Sequence, residues 1–424
     1  MRIAVVNRSS RRVGGIESYL NSVIPELARA GHEVSFLCEV DEPGERDRIA
    51  LPSGSSNWCV EDLGAEKALA ALRDWQPEVI YTHRLESPDL EEETLKIGPA
   101  VFFAHDYYGT CISGTKTHRY PVIKPCERRF GPRCLAHYFP NRCGGLSPIT
   151  MVKLYRLQSR RLELLHRYDA IVTHSDHMLK ELINHGLSAR SAYSFPYFVG
   201  RRHPDMAAIG PLSKSEDSAL SGPISIAADL SPRTEKSHFQ LLFSGRMELL
   251  KGGHVLLESL PEVQAGLPKP LRVVFAGDGR KRKAWELQAE RLQRRHTGID
   301  IEFVGWVDRA QMDLLLDESD LVVVPSLWPE PFGLVGLEAG LKGVPVAAFA
   351  VGGISDWLED GVNGHLASGD PPTADGLAQA IIRCLRDPLA HARLRARATA
   401  LAERFSIKNH MTVLLEVFQS VAKN

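Results

Sequence analysis

Residues 320–350, "DLVVVPSLWPEPFGLVGLEAGLKGVPVAAFA", contain the order strand, loop, helix and strand within one short segment. Two short apolar runs, LVVV and VAAF, flank a glycine-containing stretch whose apolar residues have helical spacing. Strands that are apolar along their whole length are typical of a parallel sheet covered by helices on both faces. The segment therefore predicts a β/α/β unit and an α/β fold class.

The same alternation of short apolar strands and amphipathic helices occupies most of the chain and restarts near residue 239. The predicted strands include RIAVVN, HEVSFLCEV, EVIYTH, AVFFAH and AIVTHS, and then FQLLFSGR, PLRVVFAGDG and IDIEFVGWV. Two Rossmann-like β/α/β domains facing a central cleft are predicted, over residues 1–200 and 238–405. Residues 201–237, rich in Ser, Pro and charge, are predicted to be a linker, and 406–424 a final helix. A ligand is expected in the cleft, at the carboxyl ends of the strands.

Composition narrows the classes of function. The chain has 424 residues, 44% of them apolar and 24% charged, with a net charge of −1. This balance gives no reason to expect a nucleic-acid partner, which usually requires a basic excess. Since the start lacks a signal-peptide pattern and no run reaches about 18 uncharged apolar residues, we expect a cytoplasmic protein.

Two pairs of charged residues suggest a binding site. Arg246 and Lys251 lie in "FSGRMELLKGG" just after a predicted strand, where two cations and flexible glycines suit a diphosphate. Glu330 and Glu338 lie in a segment that is otherwise almost wholly apolar, and carboxylates suit the paired hydroxyls of a sugar or ribose. The alternatives are an exposed basic loop for the first pair and helix-capping or salt-bridged glutamates for the second.

Several motifs in register extend this interpretation to nearly the whole chain: VGGIESYL, HDYYG, GRMELLKG, AGDG, FVGWV, PSLWPEPFGLVGLEAG and VGGISDWLEDGVNGHL. In this order they resemble the retaining glycosyltransferases of family 4 (glycosyl transferases group 1), which have the GT-B fold. The resemblance implies transfer of a sugar from a nucleoside diphosphate sugar, most often of UDP or GDP, to a sugar, a lipid-linked sugar or another small acceptor. It also implies that the N-terminal domain binds the acceptor, that the C-terminal domain binds the donor, and that the final helix crosses back to the N-terminal domain.

The resemblance also assigns roles to individual residues. Arg246 and Lys251 would stabilise the leaving diphosphate, Glu330 would hold the donor sugar, and His105 would lie at the reaction centre. The remaining donor-binding residues would be Gly14, Gly15, Glu17, Gly305, Trp306, Phe332, Gly333, Leu334 and Glu338. His83 and His174, which also follow strands, are interpreted as structural.

Catalysis is expected to need no metal cofactor, since the chain has no D-x-D triplet and uses Arg and Lys instead. Two other functions share the pattern. A nucleotide-sugar epimerase with the same fold would need additional acid/base carboxylates near His105, where Asp106 is adjacent. A non-catalytic nucleotide-sugar binding module would bind donor without turnover.

Residues 105–145, the Cys-rich loop, contain four closely spaced cysteines: Cys111, Cys126, Cys134 and Cys143. Four thiolates suit a structural zinc ion in a long loop without a core of its own. The spacing lacks a C-x₂-C knuckle, so buried free thiols and two disulfides stay open as alternatives.

The segment that follows, "MVKLYRLQSRRLELLHRY", predicts an amphipathic basic helix at residues 151–168. Such a helix suits peripheral contact with the anionic inner face of a membrane. Packing of its leucine stripe onto the domain is the alternative that we favour.

Overall fold

The structure of the protein is a computed structural model that describes residues 1–11, 14–41, 48–195, 197–198 and 236–423. These residues form two α/β domains, each built on its own parallel sheet. Residues 201–235 of the predicted linker lie outside the described residues. The predicted α/β class with two Rossmann-like domains is confirmed.

The N-terminal domain contains a seven-stranded parallel sheet with the strand order β3-β2-β1-β4-β5-β8-β9. A separate antiparallel ribbon of β6 and β7 lies in the Cys-rich loop. The strands are β1 (Arg2–Ser9), β2 (Glu33–Val40), β3 (Asn57–Cys59), β4 (Val79–Thr82), β5 (Ala100–Ala104), β6 (Thr117–His118), β7 (Lys124–Pro125), β8 (Ala170–Thr173) and β9 (Ala192–Ser194).

The C-terminal domain contains a six-stranded parallel sheet with the order β12-β11-β10-β13-β14-β15. Its strands are β10 (Phe239–Ser244), β11 (Leu271–Ala276), β12 (Ile299–Gly305), β13 (Leu321–Val324), β14 (Val346–Phe349) and β15 (Gly364–Ala367). In both sheets the strand order reverses beside the first strand, between β1 and β4 and between β10 and β13. Such a reversal opens a crevice at the carboxyl ends of the strands, where ligands bind in folds of this kind.

Helices cover both faces of each sheet. The first domain has α1 (Gly15–Arg29), α2 (Val60–Leu63), α3 (Ala65–Trp75), α4 (Pro88–Thr94), α5 (Arg133–Tyr138), α6 (Pro148–Leu165) and α7 (Asp176–Asn184). The second part has α8 (Gly253–Gly266), α9 (Arg282–Gln293), α10 (Arg309–Glu318), α11 (Leu334–Leu341), α12 (Ala374–Leu385), α13 (Pro388–Ala402) and α14 (Ile407–Ala422). Several begin at the caps that the sequence provides, such as the capping box of Asp308 and Gln311 at α10.

Strand β1 shows why the sheet is buried on both faces. Ile3 and Val5 pack with α1 in one hydrophobic cluster, whereas Ala4 and Val6 pack with α3 in another. Because side chains alternate between the two faces of a strand, a fully apolar strand needs helices on both sides.

The two domains touch through polar and aromatic contacts across the cleft. The Tyr107 hydroxyl donates to the Pro329 carbonyl at 2.7 Å, and the Asp176 amide donates to Asp356 Oδ2 at 2.7 Å. Helix α14 packs against α1, β4 and β5 of the first domain. There its His410 Nε2 lies 2.8 Å from the buried Tyr19 hydroxyl.

The Cys-rich loop contacts α7 and the residue after it through buried polar groups. Lys116 forms an ion pair with Glu181, and both side chains are less than a tenth exposed. His185 accepts a hydrogen bond at Nε2 from the Phe130 amide, at 2.8 Å, and its Nδ1 lies 2.7 Å from the Glu181 carbonyl. The imidazole must be neutral to accept at Nε2, and burial lowers its pKa to about 4.

Helix α6 uses its basic residues within the protein. Arg160 pairs with Glu92, as does Arg167 just after the helix, and the Arg161 guanidinium lies over the Tyr108 ring at 4.3 Å. Leu164 and Leu165 are buried. Across the described residues, no helix has the length and apolar character needed to cross a membrane. Peripheral membrane contact stays a prediction.

The neutral His185 makes the stability of the protein sensitive to acid. The pKa of His185 in the folded protein lies below the ordinary value of 6.5. Its contribution to the free energy of unfolding is therefore complete above pH 6.5 and is lost as the pH falls toward 4. We expect the free energy of unfolding to fall by up to about 1.4 kcal/mol per pH unit through this group. A His185→Gln variant should show a shallower pH dependence in denaturant titrations at pH 7.0 and 5.0. An equal fall in the free energy of unfolding between pH 7.0 and 5.0 in the two proteins would contradict this assignment.

Candidate active site

The loops after β10 and β13 meet at the crevice of the C-terminal domain, where they join two of the predicted residues. Lys251 Nζ lies 2.5 Å from Glu330 Oε1, and the Ser326 hydroxyl donates to the same oxygen at 2.5 Å. Glu330 is 5% exposed, so its charge requires these partners. No hydrogen bond from a described residue to Oε2 accompanies the two to Oε1.

The backbone of Glu330 is held by two glycines after β14. Glu330 forms a β-bridge with Gly352, and the Gly353 amide donates to the Glu330 carbonyl at 2.7 Å. Gly352 has φ 61°, and a Cβ atom there would lie 2.2 Å from the Glu330 oxygen. Only glycine therefore permits this approach.

Helix α11 begins directly after the Glu330 loop. Gly333, with φ 91°, is its N-cap and supplies no side chain to bond the first-turn amides. Those amides, Leu334 among them, are left without a side-chain cap, an arrangement that suits an anion. Phe332 is 2% exposed, and its carbonyl accepts from Trp357 Nε1 at 2.6 Å. Its ring is thus part of the core, and it stacks on His174 with centroids 5.6 Å apart.

Glu338 lies on the same helix and has a partner in α10. Arg309 Nη1 donates to Glu338 Oε1 at 2.8 Å. Burial raises the pKa of Glu338, and the adjacent guanidinium of Arg309 opposes that rise. The carboxylate is about one quarter exposed, so it stays accessible from the crevice.

The other predicted residues of this domain lie at strand ends near the surface. Arg246 follows β10 and is exposed; its carbonyl accepts from the Glu248 amide at 2.8 Å, while its guanidinium forms no hydrogen bond or ion pair with the described residues. Gly305 ends β12 with its carbonyl accepting from the Gly277 amide at 2.7 Å. Trp306 follows and is 78% exposed, an unusual position for a large aromatic ring.

In the N-terminal domain the predicted residues lie at the start of α1 and the end of β5. Gly14 and Gly15 are exposed at the helix start, and Asn7 Nδ2 donates to Glu17 Oε1 at 3.3 Å. His105 follows β5 and is partly exposed. Its Nε2 lies 2.8 Å from Nδ1 of the buried His83.

The His105 ring is surrounded by aromatic rings that reach toward the other domain. Phe103 lies 4.1 Å from it between centroids, and His174 lies 5.9 Å from it. Since His174 also stacks on Phe332, one ring separates His105 from the loop between β13 and α11. Burial lowers the pKa of His105 well below its ordinary value, and the neighbouring histidines lower it further.

Sequence reasoning missed three residues that hold the predicted ones: Ser326, Arg309 and Gly352. It also interpreted His83 as structural although it bonds to His105. Gly352 belonged to the motif VGGISDWLEDGVNGHL, but the sequence did not indicate its contact with Glu330. Ser326 also belonged to a quoted motif, whereas Arg309 carried no signal; the partners of both are fixed only by the tertiary fold.

The four cysteines of the Cys-rich loop line one small cavity of about 20 Å³, together with His137. None of the seven cysteines forms a disulfide, so the disulfide alternative is wrong for this structure. No group of three or more His, Cys, Asp or Glu residues in the described ranges is arranged to hold a metal ion. The zinc site therefore stays a prediction without geometric support, which elemental analysis of the purified protein tests.

Two parallel-sheet domains around a cleft, with a carboxylate and cations at one crevice, define a GT-B type protein. The family model "Glycosyl transferases group 1" matches residues 230–401, and the model "Glycosyltransferase Family 4" matches residues 13–142. Together they cover most of the chain, which belongs to this glycosyltransferase family.

Known relatives agree with the family. A D-inositol 3-phosphate glycosyltransferase of Xylanimonas cellulosilytica is 35% identical over 184 residues, which are 43% of this chain and 42% of that protein. A glycogen synthase of Mycobacterium tuberculosis is 34% identical over 188 residues, 44% and 43% of the two chains. The chain thus matches little more than two fifths of the length of these relatives.

Solved structures match over the whole length and show the fold. HepE of Anabaena, in complex with UDP and glucose, has a TM-score of 0.62 at 19% identity and covers 100% of this chain and 98% of its own. Sucrose-phosphate synthase of Thermosynechococcus elongatus has a TM-score of 0.66 at 19% identity, covering 99% and 98%.

The contact between Gly352 and Glu330 gives a structural prediction. Gly352→Ala should lower the free energy of unfolding by about 2–4 kcal/mol, because it adds a clash to an unfavourable positive φ. Gly361→Ala is the matched control, since φ is 76° there but the nearest atom lies 3.9 Å from the added Cβ. Denaturant unfolding measures both variants, and equal losses would contradict the close contact.

Proposed function

We propose that the protein is a retaining glycosyltransferase that moves a sugar from a nucleoside diphosphate sugar to an acceptor. The observation that carries this proposal is the Lys251–Glu330 pair at the crevice of the C-terminal domain. This ion pair fixes the buried carboxylate of Glu330 and leaves its Oε2 without a partner among the described residues. Glu330 comes directly before the uncapped backbone amides of the first turn of α11. A sugar hydroxyl and a phosphate are the ligands that these two features suit.

The proposed chemistry needs stabilisation of a departing diphosphate more than covalent help from the protein. Lys251 already bonds to Glu330, so it links the sugar-binding carboxylate to the cationic side of the site. Arg246 is exposed and unpaired among the described residues, and it supplies the second cation. Together with the amides of Gly333 and Leu334, these groups offset the charge that develops on the leaving group.

The nucleotide is proposed to lie along α11 and the end of β12. The open oxygen of Glu338 accepts from ribose hydroxyls, while Arg309 orients the carboxylate. Trp306 and Gly305 flank the base. A UDP or GDP sugar is the proposed donor, and the HepE structures, which hold UDP or UDP-glucose, support a nucleotide of this kind.

The acceptor is proposed to bind on the side of the N-terminal domain, opposite the donor. An open cavity of about 470 Å³ lies between α7, the Cys-rich loop and the loops after β14 and β15. Its lining includes His177, Lys180, Asn184 and Asp370, a mixed polar surface that suits a hydroxylated acceptor. A role in building a cell-surface polysaccharide or glycoconjugate in the cytoplasm is part of this proposal.

The geometry around His105 gives little support to the alternative of a nucleotide-sugar epimerase. It needs a free carboxylate for proton transfer beside His105, and the nearest one in sequence, Asp106, lies 3.3 Å from Arg84 in an ion pair. A binding module without turnover would not need the ion pair that joins Lys251 to the sugar-binding carboxylate of Glu330.

Removal of either partner of the central pair should abolish most turnover. Glu330→Ala and Lys251→Ala are expected to lose about 100-fold or more in kcat, including slow donor hydrolysis, because both act on the charge of the transition state. Lys342→Ala is the control, since Lys342 forms a comparable ion pair with Asp317 on the surface. Release of nucleoside diphosphate from a panel of UDP, GDP and ADP sugars is the measurement. Near-normal rates in both variants would overturn the site.

Glu338 should affect nucleotide affinity more than the chemical step. Glu338→Ala removes the ribose contact and should weaken binding of the matching nucleoside diphosphate about tenfold, as expected for a hydrogen bond to a charged group. Binding of the ribonucleotide and its 2′-deoxy analogue, measured by calorimetry, gives the comparison. The variant should bind both equally, and a preserved preference for the ribonucleotide would contradict the assignment.

A further inference from the structure

Two imidazoles at the ends of neighbouring strands share one hydrogen bond. Strands β4 and β5 pair in parallel, so His83 and His105 leave the sheet side by side. His83 Nδ1 and His105 Nε2 are 2.8 Å apart. His83 is fixed further by its backbone amide, which donates to the Val6 carbonyl at 2.9 Å.

Burial lowers the pKa of both imidazoles, which favours their neutral forms. Tyr81 lies edge-on to His83 with centroids 4.3 Å apart, and Tyr19 and Phe103 close the surrounding shell. Burial lowers the pKa of His83 to about 3. A neutral imidazole has one N–H donor and one acceptor nitrogen, so one of the two histidines donates and the other accepts.

The remaining nitrogen of His83 decides which one donates. His83 Nε2 is buried and has no hydrogen-bond partner among the described residues. If His105 donated, the only proton of His83 would sit on Nε2 as a buried N–H without an acceptor. If His83 donates from Nδ1, Nε2 is merely an unfilled acceptor, and buried orphan N–H groups are the rarer and costlier case.

This assignment fixes the tautomer of His105. With its Nε2 accepting from His83, His105 carries its proton on Nδ1. No described residue bonds to that nitrogen, and the side chain is partly exposed at the cleft. The atom left for a ligand is therefore an N–H group.

We propose that His83 is a positioning residue that holds His105 as the Nδ1–H tautomer, so that His105 donates a hydrogen bond to a hydroxyl oxygen of the transferred sugar and does not act as a base. The tautomer rests on the geometry and burial of the two rings, whereas the identity of the ligand rests on the proposed function. The inference replaces the purely structural role that the sequence suggested for His83.

The tautomer is tested first, without any activity. Long-range ¹⁵N–¹H correlation spectra of histidine-labelled protein distinguish a protonated Nδ1 from a protonated Nε2, and His105→Phe identifies the signals of His105. We expect His105 to be protonated on Nδ1 in the wild-type protein and on both nitrogens in mixture in His83→Phe. Protonation of His105 on Nε2 in the wild-type protein would overturn the proposal.

Kinetics then test the consequence. His83→Phe keeps a ring but removes the hydrogen bond, and its kcat should fall roughly 10- to 100-fold with little change in donor KM, somewhat less than loss of a direct transition-state donor. His83→Asn places an amide donor near the Nδ1 position and should recover part of the rate. Tyr81→Phe keeps the ring that packs on His83 and removes only the hydroxyl, which lies 2.7 Å from the Tyr19 hydroxyl. It leaves the bond between His83 and His105 in place and should stay close to the wild-type rate.

The outcomes separate the two proposals. An equal, small effect of His83→Phe and Tyr81→Phe in folded protein would refute the role of His83. Absence of turnover in the wild-type protein with every nucleotide sugar would refute the proposed function, while the spectra would still decide the tautomer. Should His83→Phe fail to fold, the spectra of the wild-type protein and His83→Asn decide it.

Discussion

The ion pair between Lys251 and Glu330 is the contact around which the C-terminal domain is organised. It joins the loop after β10 to the loop after β13, which are the two sides of the crevice where the strand order reverses. A carboxylate that is 5% exposed is stable only with such partners, and Ser326 supplies the second one. The same requirement fixes the neighbouring backbone, since Glu330 must lie against Gly352 and Gly353 to reach Lys251.

Burial has a different effect in the N-terminal domain. There the polar groups at the strand ends are histidines, and an apolar surrounding keeps them neutral instead of pairing them with carboxylates. The buried polar contact at the C-terminal strand ends is therefore an ion pair, whereas the contact between His83 and His105 joins two neutral rings.

The sequence predicted the α/β fold class because its signal is local. Fully apolar strands such as LVVV and VAAF and the helices that alternate with them need only a few residues to be identified. The pairs within the site are not local: Lys251 and Glu330 are 79 positions apart, and Arg309 and Glu338 are 29 apart. Single residue types at strand ends indicate that a site exists, but the tertiary fold decides which atoms meet. The bond between His83 and His105 shows this limit most clearly, since two histidines after two strands look alike in the sequence.

Helix α14 belongs to the first domain in space although it comes last along the chain. Its Phe418 ring packs on Tyr81, 4.9 Å away between centroids, and His410 covers the buried Tyr19. During synthesis, the N-terminal sheet emerges from the ribosome long before residues 407–422 exist. The part of the sheet that α14 covers stays open until then, so the domain that is made first completes its core last.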